Sequence, residues 1–342
     1  MSRFASKTLL WIMLGVCLLP FLMDMLLLAY FHGAVHGVRI GGERFMDGDY
    51  TLESHILRHG EPIQGRYTAQ VSKKELDTIK GDEPCLLINR MNGQGARIYF
   101  NGYLIGSMGD PDRGRANIWN TAFIFPIDTH LVQEENVLSL EIHHEYGVGI
   151  DGTVLITDDN TARRMLGSMA LVTGTLTSIS IGMAICGCIM IIFMVLLNQR
   201  RHSPFAFMVA SLIALCIYSL DYTHIVHLPV SYLVYKKIII GALFLSLSAA
   251  SVTVSKIFYR KLPMIMSFIP LGIILTGIIV TGDTLAFKRL YQICMALIPV
   301  TMAVWIGVIV PCYRIKEESK IFFFGLILLL LVSLYNTLVF FI

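Results

Sequence analysis

Residues 96–106 read Ala96-Arg-Ile-Tyr-Phe-Asn-Gly-Tyr-Leu-Ile-Gly106, two segments of β-forming residues about a central Asn-Gly pair. Asn101-Gly102 supplies the two positive-φ residues that a tight type I′ turn requires, so residues 97–105 are predicted to form a β-hairpin. Working outward, the stretch Asn136–His143 alternates strictly. Leu138, Leu140 and Ile142 fall on one face, and Ser139, Glu141 and His143 fall on the other. Further strands are predicted at Arg66–Val71, Pro84–Asn89, Thr121–Pro126 and Thr153–Thr157, punctuated by Gly, Pro and acidic residues, with no long amphipathic helix among them. Many short strands with turn signals predict an antiparallel β-sandwich, with Ile98, Phe100, Leu138, Leu140 and Ile142 in its core. Of the chain's seven cysteines only Cys85 lies in this region. The domain must therefore rest on its hydrophobic core and not on an internal disulfide. The charged stretch Asp158–Arg164 reads as a short join that keeps the sandwich close to the membrane.

The rest of the chain is a different material. Over 342 residues, 55% are hydrophobic and only 15% charged, and the mean hydropathy is +0.66. Soluble domains run nearer a quarter charged, so this composition describes a membrane protein. Residues 31–164 hold 19 of the 24 acidic residues and 13 of the 27 Lys and Arg. The domain thus carries a net −6 and the apolar remainder +9. That excess beside apolar spans reads as membrane topology, and nucleic acid is excluded as a partner. Thr8–Tyr30 is long enough for an uncleaved signal anchor, and six more apolar runs lie near 170–197, 204–222, 238–258, 263–281, 290–312 and 321–342. Arg3 and Lys7, Arg200 and Arg201, Arg260 and Lys261, and Arg314, Lys316 and Lys320 fall on alternate sides of successive spans. The expected organisation is an N-terminal helix (1–30) with its N-terminus in the cytoplasm, an extracytoplasmic sandwich (31–164) and a six-helix transmembrane domain (165–342). Lys236, Lys237, Lys288 and Arg289 lie on the outer side, near helix ends, where they can snorkel.

Two stretches carry a resemblance. The 96–106 hairpin, with Ile124-Phe-Pro-Ile127 and Glu135-Asn-Val-Leu-Ser-Leu-Glu-Ile142, resembles the strands of galactose-binding-like jelly rolls. Joined to a helical membrane part, the chain resembles the bacterial seven-transmembrane receptors with diverse intracellular signalling modules. The basic turn Asn198-Gln-Arg-Arg-His-Ser-Pro-Phe205 is similar to that family's first cytoplasmic loop. The resemblance implies an inner-membrane signalling receptor whose jelly roll binds a small ligand, a carbohydrate among the candidates. It also implies seven helices after the external domain and a cytoplasmic effector beyond them, where six are counted here. The native protein is accordingly expected to continue past Ile342, or to find its output in a partner protein.

No catalytic signature is present: no phosphate-binding loop, no nucleophile elbow, no H-E-x-x-H. The chain is expected to be no enzyme and to need no cofactor. Adjacent His143 and His144 point to opposite faces of a strand and cannot chelate together, so no metal site is expected. The loop Gly109-Asp-Pro-Asp-Arg-Gly-Arg-Ala-Asn-Ile-Trp119 is the candidate ligand site, through Asp110, Asp112, Arg113, Arg115, Asn117 and Trp119. Sugar sites pair an aromatic plate with planar polar groups. The competing reading is a solvated loop whose Trp119 caps the sandwich core.

Asp24 and Asn336 are the polar residues expected within membrane spans, bonded to neighbouring helices or, for Asp24, acting as a relay. Asp221 and Tyr222 read as a solvated anchor at an outer helix end. Gly174, Ser178, Gly182 and Cys186 form a small-residue stripe for close helix packing, as do Ser248, Ala249 and Ser255. The expected partners are a small ligand, membrane lipid, a cytoplasmic effector and a second copy in a homo-oligomer. The competing functions are a scaffold that docks a partner protein, and a transporter or membrane enzyme whose sandwich collects substrate.

Overall fold

The computed structural model describes residues 37–47, 50–52, 63–79, 83–144, 149–150, 154–171, 203–259 and 261–312, with scattered positions between 174 and 192. The expected spans at 8–30 and 321–342, with Asp24 and Asn336, lie outside the described residues. So does most of the run at 170–197.

The acidic region is built from antiparallel sheets. Strands β1 (Val38–Ile40), β5 (Pro84–Asn89), β9 (Ala122–Pro126) and β12 (Val154–Asp158) form one sheet in the order β1-β12-β5-β9. A second sheet has the order β3-β2-β4-β10-β7-β8. Its strands are β2 (Met46–Asp47), β3 (Tyr50–Thr51), β4 (Ile63–Ser72), β7 (Gly95–Phe100), β8 (Tyr103–Gly109) and β10 (Glu135–His144). A small ladder joins β6 (Met91–Asn92) to β11 (Gly149–Ile150). The register sets Leu138 opposite Phe100, Leu140 opposite Ile98 and Ile142 opposite Ala96, and all six are fully buried. They share one core with Ile40, Leu86, Ile88 and Ile156 of the other sheet. The hairpin turns at Asn101 (φ 50°) and Gly102 (φ 84°), as the type I′ reading requires. Asn101 does more than turn. Its Nδ2 donates to Leu131 O (2.8 Å) and to Asn136 Oδ1 (2.9 Å), which ties the hairpin tip to the fully buried Asn136.

One expectation is corrected. The stretch beginning at Asp158 is not a short join, and the domain does carry an amphipathic helix. Asp158 Oδ1 accepts from Thr161 N (2.9 Å) and caps a helix over Asp159–Ala170. Met165, Met169 and Leu166 of that helix cover Leu87, Leu155, Ala122 and Ile124 on the outer face of the four-stranded sheet. That sheet is thus covered on both faces, which is why Pro84–Asn89 reads as an unbroken apolar run instead of alternating.

With α1 (Lys73–Leu76) and α2 (Asp159–Ala170) assigned to the sandwich, the apolar part contains α3 (Ser203–Ser219), α4 (Tyr232–Phe258), α5 (Leu262–Val280) and α6 (Thr284–Ile309). The stretches Tyr232–Lys256, Leu262–Val280 and Thr284–Val308 are long and apolar enough to cross a membrane, and Ala206–Tyr222 is a shorter apolar helix. Helix α4 packs against α3, α5 and α6. Its serines make the close contacts. Ser246 exchanges hydroxyl bonds with Ser211 of α3, and Ser248 Oγ donates to Ser267 O of α5 (3.1 Å). A Cβ added at Gly174 or at Gly182 would meet nothing within 4 Å among the described residues.

Candidate functional site

The loop that leaves β8 is pressed onto the sheet by three glycines. A Cβ on Gly95 would lie 2.3 Å from the Asp110 carbonyl carbon, one on Gly109 (φ 63°) 2.4 Å from Gln94 O, and one on Gly114 (φ 63°) 2.4 Å from His143 Nε2. Asp110 N donates to Gln94 O (3.0 Å) and Gly114 N to Asp110 O (2.9 Å). The loop is therefore a seated element with two distinct ends.

Its first half belongs to the sheet. Asp112 pairs with Arg97 of β7, and Arg97 also lies 3.5 Å from Glu141 of β10. Tyr99 Oη donates to Glu141 Oε2 (3.2 Å), and the Arg66 guanidinium lies 5.4 Å from the Tyr99 ring centroid. Asp110 accepts from the Arg113 backbone N–H (3.1 Å), while the Arg113 side chain is exposed. This face is a polar network of two guanidiniums, two carboxylates and a phenol.

The second half belongs to the helices. Ala116 and Ile118 enter the sandwich core, while the alternate residues Asn117 and Trp119 bond to the connection between α3 and α4. Asn117 is 1% exposed. Its Nδ2 donates to Asp221 O (2.7 Å) and Thr223 O (3.0 Å), and its backbone exchanges hydrogen bonds with Ile225. Trp119 Nε1 donates to Asp221 O (3.0 Å), and Leu228 N donates to Arg115 O (2.8 Å). Trp119 also meets Tyr222 edge-on at 5.6 Å, and Phe123 of β9 meets His224 at 5.5 Å. Beneath this contact lies an ion pair. Lys236 Nζ is 2.5 Å from Asp221 Oδ1, with side chains 13% and 17% exposed, and the rings of Trp119, Tyr232 and Tyr235 surround the ammonium.

The six residues singled out by sequence are thus divided. Asp110, Asp112 and Arg113 remain with the sheet face. Arg115 contributes its carbonyl, and Asn117 and Trp119 are engaged with the helical connection. Trp119 is neither free nor a cap on the sandwich core. Asp221 is not a solvated anchor, because Lys236 pairs with it and leaves its side chain only 17% exposed. Two of the lysines expected to snorkel, Lys236 and Lys237, are engaged by protein groups instead. Lys237 Nζ donates to Ile278 O (2.9 Å) and Thr281 O (2.6 Å), closing the C-terminus of α5. Among the described residues no group of three or more His, Cys, Asp or Glu side chains could hold a metal ion. Cys85 Sγ donates to Asp159 Oδ1 (3.4 Å), and burial together with that carboxylate pushes the thiol up to about 11.

No protein-family model, curated protein or solved structure matches this chain.

Proposed function

We propose that the chain is a membrane receptor of the bacterial inner membrane, in which a jelly-roll sandwich outside the membrane receives a small ligand and the helices carry the change across. The observation that supports this reading is the junction. Backbone and side-chain hydrogen bonds from Arg115, Asn117 and Trp119 fasten the sandwich to residues 221–228 between two apolar helices. A sandwich that merely collected substrate would need only a tether. The loop that makes this contact begins at the Arg97–Asp112 pair on the open sheet face. An event at that face therefore has a seated, short path to α3 and α4. The junction also agrees with the charge pattern, which puts the 220–231 connection on the same side of the membrane as residues 31–164. A ligand shifts such a system only by binding one arrangement of the junction better than another.

A second reading has its own observation. Tyr103 and Leu104 on the outermost strand of the larger sheet are 61% and 58% exposed. An apolar strand edge with no partner strand among the described residues is a template for another chain, which favours a scaffold or a second copy. The test uses the full chain in lipid nanodiscs against a panel of monosaccharides and oligosaccharides. The receptor reading expects one of them to raise the unfolding midpoint by mass action and to alter hydrogen exchange across 221–228. Binding that leaves 221–228 unchanged would argue for substrate collection. A chain that ignores every sugar yet captures a folded protein through the Tyr103 edge would argue for the scaffold.

A further inference from the structure

His143 carries an inference beyond the receptor reading. It lies on β10 at 8% exposure, and neither ring nitrogen makes a hydrogen bond of ordinary geometry among the described residues, with the Pro111 backbone lying beside the ring. Gly114 lies against the imidazole so closely that a Cβ there would stand 2.4 Å from Nε2. The strand register pairs His143 with Gly95, the residue on which Asp110 and Pro111 rest. The backbone continues the stack, since His143 O accepts from Gln94 N (2.9 Å) and Gln94 O accepts from Asp110 N (3.0 Å). One peptide beyond Gly114, the Arg115 carbonyl accepts from Leu228 N (2.8 Å) in the first bond of the junction. The imidazole is thus the floor of the loop that couples the sandwich to the helices.

We propose that His143 is an acid-sensitive pin, and that its protonation unseats the 110–117 loop and loosens the junction at Asn117 and Trp119. The neutral ring brings one N–H into this site. The cation brings two N–H donors and a charge; the Pro111 backbone can serve one donor, and burying the other donor and the charge without a free acceptor is costly. Among the described residues the charged groups that face the ring are Asp110 and Asp112, both from the loop, with the Pro111 backbone beside them, and β4 sets the uncharged Gln64 opposite His143. Asp110 already serves Arg113 N, and Asp112 serves Arg97. From β7, Gly95 offers no side chain, and Glu141, two residues along β10, is held by Tyr99 and Arg97. Among the described residues, a cationic ring that reaches beyond the Pro111 backbone draws on Asp110 or Asp112, which already serve Arg113 N and Arg97. Burial holds the imidazole below its ordinary value of 6.5, and the two carboxylates and the Pro111 backbone oppose that only in part. The native state thus favours the neutral ring. Its contribution to stability is complete above pH 6.5 and is lost as the pH falls through the lower native value.

The experiment places the full chain, labelled with 5-fluorotryptophan, in nanodiscs, with the Trp119 resonance assigned through Trp119→Phe. Titrated from about pH 7.5 to about 4.5, the Trp119 signal should move with a midpoint below the ordinary histidine value of about 6.5. The movement should disappear in His143→Gln and persist in His224→Gln, which removes the imidazole at the junction itself. A transition that survives His143→Gln, or a Trp119 signal that stays fixed throughout, overturns the proposal. If His143→Gln does not fold, the imidazole nitrogens of the ¹⁵N-histidine-labelled native chain give the answer. A His143 that stays neutral to the acid end of the titration, or titrates without moving Trp119, is equally fatal.

Discussion

The two ends of the Gly109–Trp119 loop hold the same kinds of residue in opposite circumstances. At one end the Asp112 side chain is 70% exposed and pairs with an Arg97 that water also reaches. At the other end Asn117 is 1% exposed and its Nδ2 donates only to backbone carbonyls of another part of the chain. An exposed ion pair contributes little to stability, because solvent screens it and ordering two side chains costs entropy. A buried amide on two carbonyls is different, since its loss leaves acceptors dry. The first end is thus free to be spent on a ligand, and the second is committed to holding the molecule together.

Substitutions can break that contrast. The largest effect is expected at Lys236→Ala, which leaves Asp221 a largely buried, unpaired carboxylate beneath Trp119. The loss should be about 3 kcal/mol by chemical unfolding, with much of it restored by also making Asp221→Leu. Asn117→Ala should come next at about 2 kcal/mol, and hydrogen exchange should rise at 221–228 while the sandwich strands stay protected. Trp119→Phe keeps the ring on Tyr222 and Lys236 but removes the bond to Asp221 O, so a loss of about 1 kcal/mol is expected. Asp112→Asn should leave the unfolding midpoint where it is, and a ligand that uses the sheet face should weaken. A large stability loss there, or none at Asn117, would erase the distinction between the two ends.

The strands were legible wherever they were long enough to alternate. Asn136–His143 showed its inward face because Leu138, Leu140 and Ile142 pack on one side only. The short strands β1, β2, β3, β6 and β11 escaped, since two or three residues carry no period. Helix α2 was hidden by its own charged first turn, although Asp158 before it is a capping residue and Met165 and Met169 stand four apart. Within the candidate site, the pattern Ala116-Asn-Ile-Trp119 held a usable sign. Small and apolar residues alternating with polar or amphipathic ones mark an extended segment with two different faces, here one that bridges Ile225 at Asn117.

Local and compositional features are set within short stretches of chain. The Asn101-Gly102 turn, the alternation of β10 and the apolar lengths of α4 to α6 come from backbone geometry and transfer out of water, and none depends on a distant partner. The use of each polar residue depends on contacts that fold together distant parts of the chain. Asn117 and Trp119 meet Asp221 across more than a hundred residues, and His143 on β10 meets Gly114 of the loop that lies on it. An amide, an indole or an imidazole has the same hydrogen-bonding capacity in a ligand site, a packed junction or a solvated loop. Its role is set by which donors and acceptors the fold brings within hydrogen-bonding reach, about 3 Å, and by whether water is excluded there.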